Sequence, residues 1–168
     1  MMSTLLQPQQ VSPASGTLTL PMRRGRRATA HHEAGHAIVA LHFGAEIIKI
    51  FLDDSPGRYT GKRSGQCDFC WPCGAGRNLE FEDAVVLLSG PIAGARAAHR
   101  SAFISVAFHP DYYFARALVD EQGFENALVE AKGLVRKNWG RISELAAELL
   151  ERRVLFWDEI HMLAGGSQ

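Results

Sequence analysis

A chain of 168 residues, 46% of them apolar, can bury one substantial core; its 18 lysines and arginines are matched by 18 aspartates and glutamates. A formal net charge of zero argues against a general electrostatic grip on nucleic acid, so no nucleic-acid partner is expected. No run of about 18 apolar residues occurs, so no membrane segment is expected and a cytoplasmic location is the default.

Residues 1–25 read as a flexible tail. Met1 to Leu20 is rich in Gln, Ser, Pro and Thr, and it lacks the charged start and unbroken apolar run of a secretory signal. Arg23, Arg24, Arg26 and Arg27 follow; they read as a solvated lead-in to the first helix, with contact to a partner or to nucleic acid as the alternative. From Ala28 to about Phe43 the pattern predicts a helix. Ala30, Ala34, Ala37, Ile38 and Leu41 share one face, while Val39 and Phe43 lie on the other side, near His32 and His36. A helix with apolar neighbours on both sides belongs in the centre of a fold. Gly44 should end it.

Glu46 to Leu52 is short and β-branched and predicts a strand; Arg58 to Lys62 is a candidate second strand. Gly61 to Gly76 reads as a glycine-rich loop holding all three cysteines. Asn78 can cap a helix whose first turn carries Glu80, Glu82 and Asp83, and Gly90-Pro91 should kink or break that helix. The small residues after it, Ala93, Gly94, Ala95, Ala97 and Ala98, permit another element to come close. Pro110 starts a helix to about Glu121, and another spans about Phe124 to Asn138. After a break at Trp139-Gly140, Ile142, Leu145, Ala146, Leu149 and Leu150 mark an amphipathic helix, with a short final helix from Phe156 to Leu163. The expected fold is mainly α with a small β-sheet, an α+β domain over residues 26–165.

His32-Glu33-Ala34-Gly35-His36 is an HExxH motif on the predicted central helix. Residues four apart lie one turn above each other, so both imidazoles can reach one metal ion. Zinc takes nitrogen ligands at about 2.0–2.1 Å, and a catalytic site leaves one position for water. Glu33 beside the first ligand can take a proton from that water and return it to the leaving amine. The sequence therefore predicts metal ligands at His32 and His36 and a catalytic base at Glu33. A third ligand is required. His42 is placed for it by number, but Val39 resists the positive-φ turn that would bring it back, and on a continuing helix it points away. His31 should be partly exposed. Asp111, at the start of the helix after Pro110, is either a ligand projecting into a cleft or a charge that favours the helix N-terminus.

Ala30 to Ala37 is similar to the A-x-HEAGHA segment of the peptidase domain of FtsH-family ATP-dependent zinc proteases. Gly94-Ala95-Arg96-Ala97-Ala98 resembles that family's GGRAA, Asp111 with Ala115 its N-D-x-x-x-A, and Leu155 to Ile160 its L-x-G-x-E-I. The matches span roughly residues 26–163 in the family's order. The resemblance implies a mainly helical zinc peptidase domain with a small sheet, a buried HExxH helix, and Asp111 as the third zinc ligand. The chain departs from the family in having no GxxxxGK[ST] motif and no membrane segments, so any unfolding motor would be a separate ATPase partner. His99 stands where the family has Glu, which alters a supporting contact, and Pro110 stands where it has Asn.

Cys67-x-x-Cys70-x-x-Cys73 has spacing suited to a second, structural metal ion, with a histidine or a second chain as fourth ligand; a redox pair and unliganded thiols are the other readings. Phe69 and Trp71 could instead line a substrate cleft. The expected activity is that of a stand-alone zinc metallopeptidase acting on polypeptide, with substrate backbone pairing along the edge of Glu46–Leu52. A regulatory HExxH peptidase that cuts a repressor shares the chemistry. A non-catalytic, metal-stabilised binding module is the contrasting reading, and Glu33 separates them because a pure binder has no use for it.

Overall fold

The computed structural model describes residues 20–53, 64–72, 78–99 and 109–165. In these, helix α1 (Leu20–His42) leads into strands β1 (Glu46–Asp53) and β2 (Ser64–Cys70). Helices α2 (Leu79–Ala97), α3 (Pro110–Leu118), α4 (Glu121–Lys137) and α5 (Trp139–Arg152) follow, then strand β3 (Val154–Phe156) and helix α6 (Trp157–Gly165). The architecture is mainly helical with one three-stranded antiparallel sheet in the order β2-β1-β3. No described helix is long and apolar enough to cross a membrane.

α1 is the central element, as its two-sided apolar pattern predicts. Ala30, Ala34, Ala37, Ile38, Val39 and Ala40 are all buried, and the helix is flanked by α2, α5 and the sheet. It starts at Leu20 rather than Ala28, so it takes in the arginine cluster and part of the expected tail. Met and Arg are good helix formers, and Pro21 falls in the first turn, where its missing N–H is not needed. The helix ends as expected. Gly44 has φ 80°, its N–H bonds to the Leu41 carbonyl at 3.0 Å, and the Ala45 N–H reaches the Ala40 carbonyl at 2.9 Å. This double closure needs a left-handed residue, which glycine supplies without steric cost.

α2 crosses α1 so closely that side chains would not fit. A Cβ on Gly35 would stand 2.8 Å from Ala93 Cβ and 2.9 Å from the Ser89 carbonyl oxygen, and one on Gly94 would stand 3.0 Å from the Ala28 oxygen. Asn78 caps α2 by accepting from the Phe81 N–H at 3.2 Å. Of the kink or break expected at Gly90-Pro91, the break does not occur: α2 runs through Pro91 to Ala97 as one helix. Interior proline costs about 3 kcal/mol, whereas each large apolar side chain buried here contributes about 1.5–3 kcal/mol. Val85, Val86, Leu88 and Ile92 are all buried, so packing outweighs the lost hydrogen bond.

The sheet corrects the reading in three places. The segment expected to be a cysteine loop is β2, a strand poor in β-branched residues that owes its form to pairing with β1. The candidate strand Arg58–Lys62 lies outside the described residues. β3 pairs Val154–Phe156 with Phe51–Lys49, and three residues are too few to show a period in sequence. β1 is thus the middle strand, so the proposed substrate edge along Glu46–Leu52 is taken by β2 on one side and, from Lys49 to Phe51, by β3 on the other. A bulge between Ile47 and Lys49 turns Ile48 outward, 52% exposed, while Ile47, Ile50 and Leu52 all face the core.

α3 begins at Pro110 as predicted, and the break before α5 falls at Asn138 rather than Trp139-Gly140. α3 and α4 pack against α2, which brings the start of α3 towards α1. His99 follows the α2 C-cap with φ 53° and is exposed. A non-glycine residue in this region costs about 1–2 kcal/mol. His99→Gly should therefore raise stability by about 1 kcal/mol, or roughly 2–4 °C in Tm. Thermal unfolding tests this, and a lower Tm would show that His99 makes a contact that outweighs the strain.

Candidate metal centre

One helical turn separates His32 and His36 on α1, and their Nε2 atoms stand 3.0 Å apart. Asp111, in the first turn of α3, brings Oδ2 to 3.1 Å from His32 Nε2 and 3.2 Å from His36 Nε2. Among the described residues these three form the one cluster able to hold a metal ion. A tetrahedral ion with ligand bonds of about 2.0–2.1 Å separates its ligand atoms by roughly 3.3 Å, close to the triangle found here. The expected trio is therefore brought together by two elements of the fold, α1 and α3.

The chemistry of the donors fits a cation. His36 Nδ1 donates to the Val86 carbonyl at 2.8 Å, which leaves its Nε2 lone pair facing His32. Asp111 Oδ2 is buried and has no hydrogen-bond partner. Three electron-rich atoms within 3.2 Å of one another, two on neutral imidazoles and one on a carboxylate, repel unless positive charge lies among them. Without a metal that charge is a proton. Burial and the neighbouring His36 push the His32 pKa down to about 4. Burial also pushes His36 down, but Asp111, Glu33 and the Val86 carbonyl reverse this and raise it. Burial raises Asp111, yet His109, His32 and His36 around it hold it well below the usual carboxylate range.

Room for the imidazoles comes from glycine. A Cβ on Gly90 of α2 would overlap the His36 ring at Nε2, so the ring lies directly on the α2 backbone. Glu33 faces β2. It is 5% exposed, and a Cβ on Gly65 would come within 2.6 Å of its Oε1. Burial pushes its pKa up to about 7 from 4.5.

The remaining sequence candidates lie elsewhere. His42 is exposed at the end of α1, with its ring against Phe43 at 5.3 Å. His31 is buried, not partly exposed as expected; its Nδ1 bonds to the Arg27 carbonyl at 2.8 Å and its ring faces Trp139 at 5.3 Å. Its helix face turns into α5, which the α1 pattern alone does not show. His99 is beyond the end of α2 and exposed.

Cys67 and Cys70 are not brought together as a chelating pair. Three positions apart on a strand they leave on opposite faces, Cys67 inward opposite Ile50 and Cys70 outward and exposed. Burial, with the Glu33 and Asp68 carboxylates, raises the Cys67 thiol well above its ordinary range, which disfavours a metal-binding thiolate. Cys73, the third member of the expected structural site, lies outside the described residues. Trp71 donates from Nε1 to Asp83 at 2.8 Å and stacks edge-on with Phe69, tying the end of β2 to α2.

One residue at the centre was missed. His109 is the N-cap of α3; its Nδ1 lies 3.1 Å from Asp111 Oδ2 and its ring centroid 4.6 Å from that of His32. Histidine is not among the residues favoured at N-caps, and its place just before an N1 proline was the available signal. Comparison with protein-family models finds no match, and no curated protein is similar to the chain at a significant level.

The purified protein should bind about one divalent transition-metal ion per chain at this cluster. Asp111→Ala should weaken that binding by at least tenfold. Gly90→Ala should do so as well, by displacing the His36 ring. At a free metal concentration 100 times Kd, the ion should stabilise the wild type by about 2.7 kcal/mol. Isothermal titration and thermal unfolding with and without chelator measure both, and unchanged affinity in Asp111→Ala would remove that residue from the centre.

Proposed function

We propose that this chain is a zinc-dependent metallopeptidase that hydrolyses peptide bonds in polypeptide, akin to the FtsH-type peptidase domain that its HEAGH and Asp111 segments resemble. One observation carries the reading. His32, His36 and Asp111 converge to 3.0–3.2 Å while Glu33, one residue from the first ligand, is buried beside them. Two imidazoles and one carboxylate suit zinc and leave a position for water.

When bound there, zinc would supply Lewis acidity, lowering the pKa of a water molecule and polarising the scissile carbonyl. Glu33 takes a proton from the attacking water and hands it to the amine as the C–N bond breaks. A pKa pushed up to about 7 suits a group that must both accept and release a proton near neutrality. His36 is held in its ligating tautomer by the Val86 carbonyl. The sides of Glu33 and His36 are closed by β2 and α2, which limits water around the base.

Substrate can lie along the outer edge of β2, which has no strand partner among the described residues and whose Gly65 borders Glu33. The carboxylate distinguishes this reading from a metal-stabilised binding module. A buried Glu that ligates nothing is costly and has no task in a purely structural site. The reading includes a cytoplasmic setting, where Cys67 and Cys70 stay reduced, and a separate ATPase for substrates that must be unfolded.

Glu33→Gln should leave zinc affinity nearly unchanged and lower cleavage of labelled casein by about 10²–10⁴-fold; wild-type rates in this variant would refute the role of Glu33. The same variant tests the burial. With its pKa raised from 4.5 to about 7, Glu33 favours folding fully below about pH 4.5, and that contribution is lost as pH rises through 7. Metal-free Glu33→Gln should therefore exceed the metal-free wild type by ~3 kcal/mol at pH 8, and the two should converge in acid. Parallel denaturation curves across this range would show that Glu33 is solvated.

A further inference from the structure

We propose that Gly65 is a positioning residue for the catalytic base: the bare backbone of β2 at this point is the wall against which the Glu33 carboxyl is set. The role rests on the peptidase reading above, since Gly65 acts through Glu33. Strand interiors favour β-branched and aromatic residues, and glycine there weakens the strand, yet β2 carries glycine at its second position. Backbone conformation does not require it. Among the described glycines only Gly44 has a positive φ, so Gly65 occupies a region open to any residue.

Space requires it instead. Gly65 pairs with Leu52, which faces the core, so both lie on the inner face of the sheet. A Cβ at Gly65 would stand 2.6 Å from Glu33 Oε1, 2.7 Å from its Cγ and 2.9 Å from its Cδ. Side-chain carbons do not come that close, and all three of these nearest atoms belong to one residue. Glu33 is thus held at both ends. Its Cα belongs to α1, which is locked on α2 where Gly35 meets Ala93 and the Ser89 carbonyl, and its carboxyl lies on the β2 backbone. Only 5% of the residue is exposed.

A general base must come within about 2.6–3.2 Å of the group whose proton it takes, and a misplacement of about 1 Å can cost 10²-fold in rate. Glutamate has three side-chain torsions, so an unwalled carboxyl would spread over several positions. A methyl group at Gly65 takes the space that Oε1, Cγ and Cδ now fill. Those atoms are the outer part of a flexible side chain, so the base yields before the backbone does. Helix and strand stay in place and the carboxyl moves. This separates Gly65 from Gly90, where a Cβ meets the ring of the ligand His36.

The test compares wild type, Gly65→Ala, Glu33→Gln and the double variant as zinc-loaded full chains, with labelled casein as substrate. Gly65→Ala should lower kcat by about 10–10²-fold with little change in KM, and should keep zinc affinity and Tm close to wild type. In the Glu33→Gln background the same change should cost less than about twofold, because the base it displaces is already gone. A second cycle reads the contact without activity. Added to Glu33→Ala, which opens the space, Gly65→Ala should raise Tm by about 1–4 °C, since alanine restricts the unfolded chain. Beside an intact Glu33 the gain should be smaller. Wild-type kcat in Gly65→Ala would overturn the proposal, and so would an equal loss of kcat in both backgrounds or a loss of zinc affinity, since Gly65 would then serve the fold or the ligands. An equal Tm gain with and without the Glu33 side chain would overturn it too, because Glu33 would not fill the space at Gly65. A zinc-loaded wild type that leaves casein intact would instead refute the peptidase reading, and the role of Gly65 with it, while the Tm cycle still measures the contact.

Discussion

The close crossing of α1 and α2 is the constraint on which the rest of the molecule depends. Gly35 meets Ala93 and the Ser89 carbonyl, Gly94 meets the Ala28 carbonyl, and the His36 ring lies where a Gly90 side chain would be. Helices at ordinary spacing are 8–10 Å apart with side chains between them. Here the backbones come close enough for the Val86 carbonyl of α2 to accept a hydrogen bond from His36 of α1 at 2.8 Å. Ser89, fully buried in the same contact, shares its hydroxyl between the carbonyls of Val86 and Gly35 at 2.6 and 3.1 Å. The packing that holds the two longest helices together therefore also sets the tautomer and direction of one ligand.

Everything else at the centre is referred to that pair. α3 packs on α2 and so presents Asp111 to the two histidines from the far side. β2 covers α1 from the sheet side and brings Gly65 onto Glu33. The two acids are thereby placed in different surroundings: Asp111 among three histidines that favour its ionised form, Glu33 in a buried niche that favours its protonated form. Opposite shifts on two neighbouring carboxyl groups divide their tasks, one suited to hold a cation and the other to exchange a proton.

The sheet plays a supporting part that its composition hides. Ile47, Ile50 and Leu52 of β1 join Leu155 of β3 in the core, and Cys67 and Phe69 of β2 pack on the same side. The inward turn of Cys67 makes it part of the wall behind Glu33, which explains why the CxxC spacing does not assemble a thiolate site from its first two members. The outer edge of β2 is left for pairing among the described residues.

Local rules read off the chain were sufficient wherever one residue type decides one feature. Gly44 ends α1, Asn78 caps α2 and Pro110 opens α3 because each effect acts within a turn of backbone. The HExxH spacing likewise set His32 and His36 on one face of a helix, since helical geometry alone brings i and i+4 together. The sequence also determined that α1 must be buried, from the apolar residues on both of its sides. Only tertiary structure could decide the rest. Whether Pro91 breaks α2 depends on how much its neighbours bury; whether residues 64–70 form a strand depends on a partner; and whether Cys67 and Cys70 converge depends on that strand's alternation. The meeting of Asp111 with His32 and His36 spans some 75 residues of chain, and the arrival of His109 beside them follows from the same packing of α3 on α2. Contacts between distant segments are fixed by which surfaces bury each other, and no local pattern along the chain records that choice.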